Sequence, residues 1–185
     1  MSLIQKSILG AIITIASAAS ATSMYCTDDL LDTNIVCDYM IISSNENLYN
    51  ELLTLLDWRY EEGFEPLITT YNQIANTFNE EIGSDNIKKF IEYMYNNWTE
   101  YPRYIFLIGH DWTYQGEPTD SYYIPAITKT SIPNKVLDNL YIDKYINDMC
   151  IGRLNICCEN DVYKYVEKII TVESTSYANE IEHIN

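Results

Sequence analysis

The intrinsically strongest nucleophiles of this 185-residue chain are its five cysteines, with two histidines to assist them. A cysteine thiolate beside an imidazole attacks a peptide carbonyl, while the imidazole acts as base and acid and backbone N–H groups hold the oxyanion. His110 and Cys150 are the best such pair, because each lies at or near the end of a predicted strand. The alternative for His110 is a loop histidine bonded to Asp111 or to a backbone carbonyl, and the alternative for Cys150 is a place in the core.

Other classes of site find less support in the sequence. No two cysteines have the CxxC spacing of a zinc or redox site, and His183 is the only further histidine. The turn from Ser43 to Asn47 contains no glycine that would let a backbone approach a pyrophosphate, which argues against dinucleotide binding. Asp120, among hydroxyl side chains, is a candidate ligand for calcium as a structural ion, although a capped turn is the commoner explanation. We expect no other cofactor.

The charge balance excludes one class of partner. The chain has 27 acidic and 11 basic residues, which gives a net charge of -16. Proteins that bind nucleic acid need a basic surface to neutralise phosphates. The acidic residues are scattered between apolar positions, which is typical of a solvated acidic surface and not of a cation site. We therefore expect no nucleic-acid partner.

The amino-terminal segment has the pattern of an export signal. Lys6 precedes an apolar stretch at 8–16, and Ala19-Ser20-Ala21 supplies the small side chains that a signal peptidase accepts. The roughly 14 apolar or small residues fall short of the ~20 that a membrane-spanning helix needs. We expect residues 1–21 to be a cleaved signal peptide and the protein to be secreted, without a stable membrane span. Disulfides are then allowed, but five cysteines leave at least one thiol without a partner in the chain.

Strand and helix signals alternate along the rest of the chain. Apolar runs predict strands at 35–43, 64–70, 104–108 and 148–151, and apolar residues spaced by three and four predict helices at 46–63, 84–98 and 162–170. The stretch 109–147 is predicted to be a long loop with short strands. This alternation predicts an α/β fold, a three-layer sandwich with a mostly parallel sheet and helices on both faces. We assign 22–34 to a short linker, 35–175 to the domain and 176–185 to a polar tail.

Two local motifs invite a specific role. Arg153 follows Gly152 at the predicted last strand, and an arginine can lock a neighbouring carboxylate with two hydrogen bonds, so we expect a structural clamp. Asn97-Trp98-Thr99 matches the acceptor tripeptide for N-linked glycosylation. Because Trp98 lies on the apolar stripe of a predicted helix, the sequence leaves open whether Asn97 is accessible.

Four ordered segments carry a family likeness. They are Asp38-Tyr39-Met40-Ile41-Ile42 with the helix ending Leu56 to Phe64, then Ile87 to Trp98 running into Pro102 to Gly109, then Thr119 to Tyr123, and last Asn147 to Leu154 with the helix ending Val166 to Ile170. Together they resemble the gingipain-type cysteine peptidases, a family with a caspase-like fold whose catalytic domain begins with one α/β subdomain and continues into a second. The likeness covers roughly Val36 to Glu173.

The resemblance implies peptide-bond hydrolysis by the full protein but carries no catalytic residue onto this chain. In the family the catalytic histidine ends a strand in His-Gly and the nucleophile ends one in Ala-Cys or Ser-Cys, and neither motif occurs here. The dyad is therefore expected beyond Asn185. The chain would be the non-catalytic first subdomain, and its partners would be the missing catalytic subdomain and a protein or peptide substrate. The alternative is a secreted, non-enzymatic binding module that uses the Tyr-rich stretch 112–123 as its contact surface.

Overall fold

The sheet is built from four parallel strands. The computed structural model of the chain describes residues 24–78, 83–111, 121–127, 138–142 and 148–182. The strands are β1 (Tyr39–Ser43), β2 (Pro66–Thr70), β3 (Tyr104–Ile108) and β4 (Cys150–Leu154). Their order is β2-β1-β3-β4, so β1 and β3 form the centre, and both are apolar because a parallel sheet is covered on both faces. The predicted α/β class is confirmed.

Helices cover the two faces of this sheet. The helices are α1 (Tyr49–Glu61), α2 (Tyr71–Phe78), α3 (Ser84–Asn97) and α4 (Glu159–Glu182), with 3₁₀ turns at Glu46–Leu48 and Asp138–Tyr141. Successive strand residues face opposite sides, so Met40 and Ile42 pack under α2 and α3, whereas Ile41 and Ile108 pack under α1 and α4. Each face thus has its own apolar core. Within the described residues, no helix combines the length and apolar character needed to cross a bilayer.

The first helical segment shows how local sequence sets its limits. The Asn45 side chain accepts a hydrogen bond of 2.9 Å from the Asn47 backbone N–H, which caps the 3₁₀ turn that leads into α1. Gly63 follows α1 with a φ of 92°, and its N–H donates to the Tyr60 carbonyl. Glycine adopts this left-handed conformation without strain. The predicted helix stop at Gly63 is therefore confirmed.

Several element limits differ from the sequence-based expectation. β1 begins at Tyr39 and not at residue 35, since Val36 makes only an isolated bridge to Glu100. Gly83, not Ser84, precedes the first turn of α3 as its cap residue. The last strand covers Cys150–Leu154, two residues later than predicted at its start. Helix α2 has no counterpart in the prediction, although Tyr71, Ile74 and Phe78 follow a helical spacing that would have indicated it.

The structure describes residues 24–34 of the expected linker and residues 176–182 of the expected tail. Within 24–34, Tyr25 and Leu30 are buried, and the Tyr25 hydroxyl donates to the Asp57 carboxylate at 2.7 Å. Helix α4 continues to Glu182, past the predicted boundary at residue 175. Tyr25 and Leu30 are apolar enough to be buried although they precede the first strand. The polar composition of 176–182 gives no apolar stripe by which the end of the helix could be predicted.

Candidate functional site

The carboxyl ends of the central strands are where a parallel sheet offers a site. The chain leaves β1 for β2 on one side and then crosses to β3 on the other, so the topological switch point lies between β1 and β3. Ser44 follows β1, and His110 and Asp111 follow β3. All three are polar and buried, with His110 and Asp111 each 2% exposed. Buried polar residues thus follow both central strands at the switch point.

The backbone fixes His110 on both sides. Its N–H donates to the Tyr122 carbonyl at 2.9 Å, and its carbonyl accepts from the Ile124 N–H at 2.8 Å. Its ring Nδ1 lies 2.9 Å from the carbonyl oxygen of Asp111. A carbonyl only accepts, so Nδ1 carries the proton in this contact. His110 is therefore a histidine bonded to backbone carbonyls, which was one of the two roles predicted for it.

Gly109 lets the segment around Tyr122 lie directly over the end of β3. A Cβ atom at position 109 would stand 2.7 Å from the Tyr122 carbonyl oxygen and 2.8 Å from Ile124 Cγ1. Real Cβ atoms do not approach backbone so closely. The glycine is thus required for the close packing that holds His110 in place.

Arg153 connects the segments at the carboxyl end of the sheet through hydrogen bonds. Its Nε and Nη2 donate to the two carboxylate oxygens of Asp138, each at 2.9 Å. Its Nη1 donates to the carbonyls of Gly109 and Ile124 at 3.2 and 2.9 Å, and Nη2 also reaches Pro125 at 3.0 Å. The Arg153 side chain is 5% exposed. The predicted arginine clamp is confirmed, with Asp138 as its carboxylate.

Two tyrosines near this network stay neutral. The Tyr141 hydroxyl donates to the Pro125 carbonyl at 2.6 Å, and burial raises the pKa of Tyr141 far above its usual value despite the nearby Arg153 cation. Burial, with Tyr71 and the Asp111 carboxylate nearby, also raises the pKa of Tyr123. Both phenols stay protonated at neutral pH. Tyr141 thereby holds the segment at Pro125, and neither phenol supplies a base.

Cys150 lies at the opposite end of the sheet from His110. It starts β4 and pairs with Tyr104, the first residue of β3, whereas His110 follows the last residue of β3. At about 3.3 Å per strand residue, the path from Tyr104 to His110 separates Cys150 from His110 by about 20 Å. The structure therefore does not bring the two candidate residues together. Nor is Cys150 a core residue: it is exposed at the start of β4, one of the two edge strands of the described sheet.

The remaining cysteines occupy three kinds of environment. Cys37 is fully buried, as expected for a core cysteine, and burial raises the pKa of its thiol. Cys26 is half-buried beside β2, where it bridges Ile68. Cys157 and Cys158 are exposed at the start of α4, and all five thiols are free.

A metal centre finds no support in the part of the chain that the structure describes. Across these residues, no three carboxylate, thiol or imidazole side chains gather as ligands. Asp120, the candidate calcium ligand, lies outside the described ranges. The expectation of a structural calcium ion there stays a prediction.

The Tyr-rich stretch is described only at its end. Tyr122 and Tyr123 are half-buried, and the backbone carbonyl of Tyr122 is already bonded to the His110 N–H. Residues 112–120 lie outside the described ranges. These two side chains offer less free surface than an independent contact loop would.

Comparison with known proteins identifies the family. The model of peptidase family C25 matches residues 32–184, which is most of the chain. The chain belongs to peptidase family C25. The gingipain resemblance of its four segments is thereby confirmed. The match also extends beyond the span from Val36 to Glu173, to residues 32–35 and 174–184.

One solved structure shares the fold of this C25 chain. It is the complex of the pro- and mature domains of RgpB from Porphyromonas gingivalis, with a TM-score of 0.55 and 19% sequence identity. The match covers 71% of this chain and 28% of the RgpB chain, so the C25 chain spans less than a third of that protein. No curated protein matches it. At this identity the likeness concerns the fold.

Sequence reasoning found Arg153 and His110 but missed Asp138 and the burial of Asp111. The clamp needed a carboxylate, and 27 acidic residues gave no reason to choose Asp138. Asp111 follows an apolar strand and a glycine, a position that usually lies at the surface. Residue type and spacing therefore indicate neither the pairing of Asp138 with Arg153 nor the burial of Asp111.

Proposed function

We propose that this chain is the non-catalytic first subdomain of a secreted, gingipain-like cysteine peptidase. The observation that carries the proposal is that His110 and Cys150 lie at opposite ends of the sheet in a member of peptidase family C25, about 20 Å apart at the usual rise per strand residue. A thiol and an imidazole must approach to hydrogen-bonding distance to act as nucleophile and base. These two residues lie at opposite ends of the sheet. The catalytic pair of the full peptidase is therefore assigned to a second subdomain.

In this role the chain acts as a rigid support. Arg153 and Asp138 fasten the loop segments that meet above β1 and β3, and Gly109 packs them tightly against the sheet. A substrate cleft needs walls that hold their geometry, because misplaced groups cost large factors in rate. The same network that buries His110 leaves it held by backbone carbonyls of its own subdomain.

Export is the second part of the proposal. It rests on Lys6, the apolar stretch 8–16 and the small residues Ala19-Ser20-Ala21. Cleavage after Ala21 would leave Thr22 as the first residue of the mature chain. Sequencing the amino terminus of the secreted protein checks this. A mature chain that still begins at Met1 would contradict it.

The site assignment is tested with a peptidyl chloromethyl ketone, which alkylates the catalytic thiol of cysteine peptidases with loss of chloride. The peptidase is taken from the secreted fraction, treated with the probe, digested and analysed by mass spectrometry, with a competing peptide substrate as control. We expect substrate-protected labelling at a cysteine outside residues 1–185. Substrate-protected labelling of Cys150 would overturn the assignment. Labelling that the substrate does not reduce reports exposed thiols, which Cys150, Cys157 and Cys158 provide.

A further inference from the structure

The tripeptide Asn97-Trp98-Thr99 straddles the end of helix α3. Asn97 is the last helical residue, and Trp98 turns the chain into extended backbone with φ of -73° and ψ of 150°. The Trp98 ring is 6% exposed, packs edge-on against Phe90, and donates from Nε1 to the Leu30 carbonyl at 3.2 Å. The middle residue of the tripeptide is therefore an anchor in the core.

The two residues that define a glycosylation acceptor lie on either side of this anchor, at the surface. Asn97 and Thr99 are both exposed. The Asn97 side-chain amide donates from Nδ2 to the Tyr93 carbonyl at 2.9 Å, and the Thr99 hydroxyl donates to the Thr33 carbonyl at 3.0 Å. The burial of Trp98, which leaves the motif undecided at the level of sequence, thus orients its neighbours outward.

We propose that Asn97 carries an N-linked oligosaccharide, an assignment that rests on the export proposed above. In the transfer, one N–H bond of the Asn97 amide is replaced by a bond to the anomeric carbon of the sugar. The bond from that carbon to a phosphate oxygen of a lipid diphosphate donor breaks, and the amide proton leaves with the lipid diphosphate. Glycosylated Asn-X-Ser/Thr sites of exported proteins lie at the surface, as Asn97 does.

The native contacts accommodate the modified amide. The amide nitrogen keeps one hydrogen after the transfer, and one hydrogen is enough for its hydrogen bond to the Tyr93 carbonyl. α3 leads into β3, so Asn97 lies at the amino end of the sheet, away from Ser44 and His110 at the carboxyl end. A bulky glycan at Asn97 therefore leaves the carboxyl end of the sheet, with Ser44 and His110, uncovered. The sequence contains no other Asn-X-Ser/Thr tripeptide with X other than proline, so the assignment is unambiguous.

Four variants separate the modification from a change of fold. The full chain is expressed in a eukaryotic secreting cell, and its migration is compared before and after peptide N-glycosidase. Asn97→Gln and Thr99→Ala remove the acceptor, whereas Thr99→Ser keeps the acceptor and the hydroxyl that bonds Thr33, and Asn96→Gln changes the exposed neighbour alone. We expect wild type, Thr99→Ser and Asn96→Gln to migrate slowly until the enzyme removes the glycan. The other two should migrate at the treated position throughout.

A second arm distinguishes failure of the site from failure of export. The same chain is expressed with residues 1–21 replaced by a leader of established function, and the secreted product is mapped by peptide mass spectrometry. Retention of the native chain in the cell, with a secreted and glycosylated fusion, would contradict the proposed export and support the site. A secreted fusion with unmodified Asn97 overturns the inference.

Discussion

Arg153 binds Asp138 through two parallel hydrogen bonds of 2.9 Å each, and the same guanidinium holds backbone carbonyls that follow β3. Paired contacts of this kind fix geometry as well as charge. Because the side chains of Arg153 and Asp138 are only 5% and 13% exposed, water screens the pair weakly. Arg153 of strand β4 therefore holds the loop segments beyond β3 in a fixed position relative to the sheet.

Breaking this pair on one side should be costly. Arg153→Met leaves the buried Asp138 carboxylate without its partner, and we expect the free energy of unfolding to fall by about 3–5 kcal/mol. Arg153→Lys keeps the positive charge but lacks the forked donors of the guanidinium, so the free energy of unfolding should fall by less than in Arg153→Met. Urea unfolding followed by circular dichroism measures both. The double variant Arg153→Met with Asp138→Leu should recover much of the loss, and a stability of Arg153→Met equal to that of wild type would refute the clamp.

Two glycines provide a matched pair of substitutions. Gly109→Ala places a methyl group 2.7 Å from the Tyr122 carbonyl, so we expect a loss of about 1–3 kcal/mol in the free energy of unfolding. Gly152→Ala meets no atom within 4 Å and should change stability by about 0.5 kcal/mol or less. Thermal unfolding of the two variants tests the difference. Equal effects would show that position 109 is not tightly packed.

Acid should weaken the contact between α1 and α4. Burial alone would raise the pKa of Glu173, but hydrogen bonds from Arg59 and Trp58 outweigh it and hold the pKa below its usual value of 4.5. A carboxyl whose pKa is lower in the folded state stabilises the protein above its unfolded pKa, and this contribution is lost as pH falls through the folded pKa.

Glu173→Gln should therefore destabilise the protein at neutral pH and flatten the part of the pH dependence that Glu173 causes. The measurement is the urea midpoint at about pH 7 and about pH 3. Glu167→Gln, which changes an exposed carboxyl on the same helix, is the control for the substitution itself. A wild-type profile in Glu173→Gln would mean that this carboxyl contributes nothing to acid sensitivity.

Thiol reactivity should sort the five cysteines by environment. Cys150, Cys157 and Cys158 are exposed and should react quickly with a thiol reagent in the folded protein. Cys26 should react more slowly, since burial and the nearby Asp28 carboxylate raise the pKa of its thiol. Cys37 should react only on unfolding, because it has no exposed surface. Rapid labelling of Cys37 under native conditions would contradict the fold.

The sequence predicts the central elements well for a physical reason. The apolar run at 104–108 and the stripe along 84–98 bury side chains with the period of their element, so periodicity reports them directly. Helix α2 was missed because it follows β2 without any loop, and the strand signal at Thr70 runs straight into it.

The site is less predictable because its contacts join distant residues. Arg153 could be recognised as a clamp from its type and position, but its partner Asp138 lies in a stretch without periodicity. Cys150 and His110 were both placed near strand ends, and only the parallel register decides that these are opposite ends. Register is a property of strand pairing, which a single sequence does not display.

An assay of peptide hydrolysis by the purified chain tests whether this subdomain is catalytically inactive by itself. The chain is assayed with a broad set of fluorogenic peptides and a protein substrate under reducing conditions, beside Cys150→Ala and His110→Ala. We expect no hydrolysis above buffer for the three proteins, since the two residues lie about 20 Å apart. Hydrolysis that a thiol alkylator blocks, and that both substitutions abolish, would contradict it.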